Sequence, residues 1–235
     1  MTTEHLPVSR KALAVGTLVI CLYSIWVAGR WISADVFFQQ AEKLQKKWDK
    51  AGLVETRAEW QRGKNRVDRA RDFSPNNPSI LSLAAQINLA YAYAPNPEPD
   101  RATRLLQQAE ADLTAALSLR PKWAYDWANL AILKVRLWQI DDGFSHAIYK
   151  ALEFGPLEVL VQRRVIRAGF VAWPKLDKPL QTALLDAFAS GLRLSAEQTK
   201  WLFAIAERFR RTEMVCKAMQ ERSLQNYIEK YCEPG

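Results

Sequence analysis

Two hydrophobic patterns divide the chain. From Ala12 to Gly29 it reads ALAVGTLVICLYSIWVAG, eighteen residues without a charge, bracketed by Arg10-Lys11 and Arg30. Beyond Arg30, apolar residues recur three and four apart, the spacing of helices that bury one face. Phe37, Phe38, Leu44 and Trp48 mark one such stretch over 34–50, and Trp127, Leu130 and Ala131 mark a second. Val159, Val165, Ile166, Phe170 and Trp173 mark a third, and Trp201, Leu202, Ile205 and Phe209 a fourth. Runs of Val, Ile and Thr between turn signals are scarce outside the N-terminal segment, and only nine glycines occur. The expected fold class is all-α.

The uncharged run is long enough to cross a hydrocarbon core of about 30 Å, with Trp26 and Trp31 placed for an interface. A cleavable signal sequence fits less well. Ala28 and Ala34 are preceded, at the distance where a small residue is wanted, by Trp26 and Ile32. The expectation is therefore a single transmembrane helix. Arg10 and Lys11 favour a cytoplasmic N-terminus, whereas Arg30, Lys43, Lys46 and Lys47 pull the other way. Charges on a long domain count weakly, which favours a soluble part in the periplasm of a Gram-negative inner membrane.

Prolines punctuate the soluble part. Ala116, Leu117 and Leu119 precede Pro121, Ala151, Leu152 and Phe154 precede Pro156, and Ala70 and Phe73 precede Pro75. Each phrase reads as a helix ending ahead of a proline, because the preceding residue is pushed out of the α region. Pro121 and Pro156 are 35 residues apart, and Pro75 and Pro121 are 46 apart. The excess sits in YAPNPEPDRA, a helix-breaking loop between two helices of one hairpin. Further on, Pro179–Leu192 reads as a helix, Ser195 with Gln198 forms a capping-box start, and Thr212–Tyr231 reads as one last helix. The short series Trp127, Leu130, Ala131, Phe144, Ile148, Ala151, Pro156 resembles the tetratricopeptide repeat. It departs from the family pattern in having Ala131 where glycine is usual, Lys134 in place of a tyrosine, Gly143 beside Phe144, and one residue inserted near 138–142.

That resemblance spans about half the chain, Leu53 to Trp173, and implies stacked helical hairpins. The implied layout is a tail over 1–11, a membrane helix over 12–31, a juxtamembrane linker helix over 32–52, repeats over 53–177 and a helical cap over 178–235. The linker helix would lie along the bilayer or dock on the first hairpin. In such arrays the first helix of each hairpin lines a concave groove. The corresponding residues are Tyr125, Ala128, Asn129, Ile132 and Arg136, with Trp127 and Ala131 in the core. Arg163, Arg164 and Arg167 gather on the next helix and would border the same groove, where amides and guanidinium groups hold carboxylates of an extended peptide.

Chemistry of other kinds has little to build on. The chain has two histidines, His5 in the tail and His146 on a hairpin helix, neither with a metal-ligand partner at i+4. No phosphate loop, nucleophile elbow or Cys-x-x-Cys motif occurs, and Asp141-Asp142 falls in a turn where aspartates cap helices. The expectation is a non-enzyme without cofactor or metal. The net charge of +8 suits anionic lipid or an acidic partner, and the lack of an aromatic-basic strand motif argues against nucleic acid. Cys21 lies in the membrane run. Cys216 and Cys232 on one continuous helix would stand about 24 Å apart, beyond disulfide reach, so a bridge needs a turn between them.

The motifs WANLAILK and LEFGP and the VQR run resemble the VpsP-type accessory proteins of bacterial exopolysaccharide biosynthesis. That resemblance implies a membrane-anchored adaptor whose protein partner belongs to polysaccharide synthesis or export. A general envelope-assembly or secretion accessory protein is the alternative. Oligomeric state is left open.

Overall fold

A computed structural model describes residues 8–52 and 54–232; the rest of the N-terminal tail, Leu53 and the last three residues lie outside them. Eleven α-helices and no strand occur among the described residues. Helix α1 (Val8–Ala51) is followed by α2 (Arg57–Phe73), α3 (Pro78–Tyr91), α4 (Pro99–Leu119), α5 (Ala124–Arg136), α6 (Asp142–Phe154) and α7 (Val159–Ala172). A single 3-10 turn, Trp173–Lys175, leads to α8 (Lys178–Gly191), α9 (Ala196–Arg208), α10 (Thr212–Glu221) and α11 (Gln225–Tyr231).

The uncharged run and the linker are one element. Helix α1 continues unbroken for 44 residues, and the described residues bury none of its apolar N-terminal half. It is the one described helix long and apolar enough to cross a membrane. Its C-terminal half docks on α2, burying Ala34, Ala41 and Trp48. Gly52, at φ 78°, stops the helix in a conformation that disfavours side chains. The last four residues assigned to the tail already belong to α1.

Helix ends follow local chemistry. Ser74, Arg120 and Gly155 cap α2, α4 and α6 immediately before Pro75, Pro121 and Pro156. The Asn77, Asp141, Asp177 and Ser195 side chains accept from backbone amides at the starts of α3, α6, α8 and α9. Trp138, at φ 58°, lies in the turn between α5 and α6. Gln198 does not return its side chain to Ser195; it accepts from Arg163 at 2.7 Å and donates to Gln162, tying α9 to α7. The capping box is half made because the other half is spent on packing.

Helices α3, α5, α7 and α9 lie side by side in register. Ser82 donates to buried Asp126 at 2.5 Å, Arg136 donates to the Ala92 carbonyl, and Tyr125 donates to Glu158 at 2.6 Å. Helices α4, α6 and α8 return between them. One core joins α1, α2 and α3 around Trp60, whose indole donates to the Ile87 carbonyl at 2.9 Å; a larger core runs from α3 to α11. Gly155 permits close approach of the α6–α7 turn to α5, since a β-carbon there would lie 2.7 Å from that of Ala124.

Two expectations fail. Trp127 is half-buried rather than core: it packs edge-on to exposed His146 and donates to the Pro121 carbonyl at 2.7 Å. Thr212–Tyr231 is not one helix. The chain breaks at Arg222–Leu224, with Ser223 at φ 55°, and α11 folds back so that Cys216 and Cys232 form a disulfide with a Cα separation of 5.8 Å. The turn that such a bridge requires is present.

Candidate partner-binding groove

Helices α1, α3, α5, α7 and α9 enclose a concave cavity of about 230 Å³. Its floor is apolar: Leu89 and Ala90 from α3, Ile132 from α5 and Leu160 from α7. Arg163, Arg164 and Arg167 come from consecutive turns of α7, whose i, i+1 and i+4 spacing turns all three toward the cavity. Asn129 is one turn above Asp126 on α5. Gln45, Trp48 and Asp49 close the wall from the last turns of α1.

Asp126 fixes α5 against its neighbours. It is fully buried, accepts from Ser82, and pairs with Arg120 at 2.9 Å, which also reaches the Pro78 carbonyl. Burial pushes its carboxyl up from the ordinary range, opposed by the Ser82 hydrogen bond and the Arg120 charge. One helical turn away, Asn129 is only 3% exposed, and its Nδ2 has no hydrogen-bond partner. Across the cavity, the Gln45 Nε2 donates to Asp49 at 3.0 Å while the Gln45 Oε1 is buried without a partner. A buried unmet donor and a buried unmet acceptor thus line the same hollow, each costing about 1–3 kcal/mol if left so.

Cations outnumber acids in the groove. Arg163 is engaged: it bonds Gln198, pairs with Glu197 at 3.2 Å and covers the Trp201 ring. Arg164 makes no hydrogen bond or ion pair with a described residue. Burial lowers its pKa from the ordinary value, partly opposed by the field of Asp49. A guanidinium stays charged in proteins, so this is a partly buried cation without a hydrogen bond or ion pair to a described residue. Arg167 lies 5.5 Å from the centre of the Tyr93 ring.

The residues expected in the groove divide. Asn129, Ile132, Arg163, Arg164 and Arg167 line one cavity. Arg136 sits at its rim, over Tyr93 at 4.8 Å and bonded to the Ala92 carbonyl. Tyr125 is elsewhere: its hydroxyl is bonded to Glu158 beside the α6–α7 turn, and that bond raises its pKa. Ala128 is fully buried in the core, because helices α4 and α6 pack behind α5 and leave only a narrow strip for the cavity. The wall supplied by α1 went unforeseen. Its trace in the sequence is Gln45, a polar residue interrupting the Ala41–Trp48 stripe.

Among the described residues, no group of three or more His, Cys, Asp or Glu side chains could hold a metal ion. No protein-family model matches this sequence, and no curated protein is similar to it. The chemistry of the groove is the guide to function.

Proposed function

We propose that this chain is a single-pass membrane scaffold of tetratricopeptide-like hairpins, without catalytic activity, whose groove holds an extended acidic segment of a partner protein. The observation that carries the reading is the set of unmet groups in one cavity: a half-buried cation at Arg164 with no ion pair to a described residue, an unpaired donor on Asn129 and an unpaired acceptor on Gln45. A carboxylate answers the first, and the carbonyl and N–H of a peptide backbone answer the others. The apolar floor suits aliphatic side chains. The rings at the rim, Tyr93 and Trp201, already carry arginines.

The Cys216–Cys232 disulfide supports a soluble part in an oxidising compartment, which for a bacterial inner-membrane anchor is the periplasm. The resemblance of WANLAILK and LEFGP to VpsP-type proteins directs the partner search to polysaccharide synthesis or export components.

In-cell photo-crosslinking tests the scaffold reading. A photoreactive residue at Arg167 should trap a defined partner, one at exposed Gln220 should not, and Arg164→Gln should abolish the Arg167 product. The same species trapped from both positions, or none from Arg167, would overturn it.

A further inference from the structure

The two edges of the helical array differ in where they stand relative to the apolar half of α1. Arg30, the first charge beyond the apolar run, donates to the Asp72 and Phe73 carbonyls at 3.2 and 2.8 Å. That pins the C-terminus of α2 to the base of α1. Trp31, Ala34 and Phe38 share a hollow with Ser74, Asn77 and Pro78, so the α2–α3 turn stands within about two helical turns of the apolar run. Arg120 ties the α4–α5 turn to the Pro78 carbonyl at 3.1 Å and to Ser79 at 3.2 Å. Tyr125 and Gly155 tie the α6–α7 turn to the start of α5. Three successive turns therefore form one edge, starting where α1 would leave the membrane.

That edge exposes apolar side chains. Trp31 is 70% exposed, Leu119 52%, Trp123 46% and Leu157 62%. Exposed apolar residues scattered singly are ordinary; here they share one edge. Cations accompany them: Arg120 lies over the Trp123 ring at 4.9 Å, and Lys122 is exposed beside it. Tryptophan and leucine flanked by Arg and Lys is the composition that partitions into a headgroup layer. The opposite edge also exposes rings, Trp138 at 58% with Lys175 4.6 Å from its centre and Tyr93 beside two arginines, but it is not continuous with the apolar half of α1.

We propose that the edge made by the α2–α3, α4–α5 and α6–α7 turns rests in the headgroup layer of the bilayer that α1 spans, with Trp31, Trp123 and Leu157 inserted. The occupant of this surface is lipid because the edge is continuous with the apolar half of α1. The inference rests on α1 being a membrane helix and is independent of what fills the groove.

The test uses the full chain in nanodiscs of phosphatidylethanolamine and phosphatidylglycerol carrying a nitroxide-headgroup lipid. An environment-sensitive fluorophore is attached to Cys21, the free cysteine among the described residues, or, in a Cys21→Ser background, at Lys122→Cys or Gln139→Cys. The Lys122 site lies on the proposed edge and the Gln139 site on the opposite one. Quenching at Lys122→Cys should exceed that at Gln139→Cys by at least about threefold, and Trp123→Glu with Leu157→Glu should remove the difference. Quenching of a Cys21 probe by a nitroxide on the lipid acyl chain, with equal weak quenching at the two turn sites, overturns the edge and keeps the span. No acyl-chain quenching at Cys21 overturns both.

Discussion

At the scale of single residues, Arg164 and Glu59 follow opposite logic. Arg164 is half-buried, which lowers its pKa, and gains no hydrogen bond or ion pair with a described residue, so it costs stability. Arg164→Met should leave the midpoint of thermal unfolding unchanged or raised while abolishing partner capture, a combination that a structural arginine would not give. Glu59 is almost fully buried and pairs with Lys47 at 2.6 Å. That hydrogen bond, against the opposing effect of desolvation, holds its pKa below the ordinary carboxylate value. A depressed folded-state pKa means stability present above the unfolded value and lost as pH falls through the folded one. Acid titration of Glu59→Gln, followed by circular dichroism, should therefore show a shallower loss of stability below about pH 4. Asp126 works in the other sense: its raised pKa means that folding favours protonation, and that contribution is lost as pH rises through the folded value. Much of this scale was legible beforehand. The arginine cluster and Asn129 stand out by type and spacing, whereas Gln45 and Asp49 sit in a helix whose direction relative to α5 no local pattern states.

Among elements, legibility tracked the residues that terminate helices. Pro75, Pro121 and Pro156 constrain the backbone of the preceding residue, so the ends of α2, α4 and α6 could be read directly. The break between α10 and α11 contains neither proline nor glycine; Ser223 adopts a left-handed conformation because packing of Leu224 and Ile228 and the Cys216–Cys232 link reward it. Removing that link with Cys216→Ser and Cys232→Ser should cost about 2–4 kcal/mol, measured by urea unfolding of the full chain in detergent. At the α6–α7 turn, Gly155→Val forces a side chain into Ala124. It should cost about 1–3 kcal/mol and loosen the α5–α7 contact, seen as faster amide exchange at the start of α7.

For the molecule as a whole, division into a long apolar N-terminal stretch and a helical remainder could be read from hydrophobic period alone, but the absence of a joint between them could not. Nothing in the composition of 30–34 separates a hinge from a continuing helix; contacts of Ala34, Ala41 and Trp48 with α2 decide it. If the soluble part is periplasmic, Cys216 and Cys232 in intact cells should resist alkylation until a reductant is added, whereas a cytoplasmic soluble part would react at once. Because α1 has no joint, it also acts as a ruler. At 1.5 Å per residue, Asp49 stands about 30 Å beyond Gly29 when the helix is upright. If α1 spans a bilayer and the groove holds a membrane-bound partner, as proposed, that partner's acidic segment needs a tether of at least about nine extended residues to fill the far end. On that proposal, partners with shorter tethers would be refused by length, whatever their sequence.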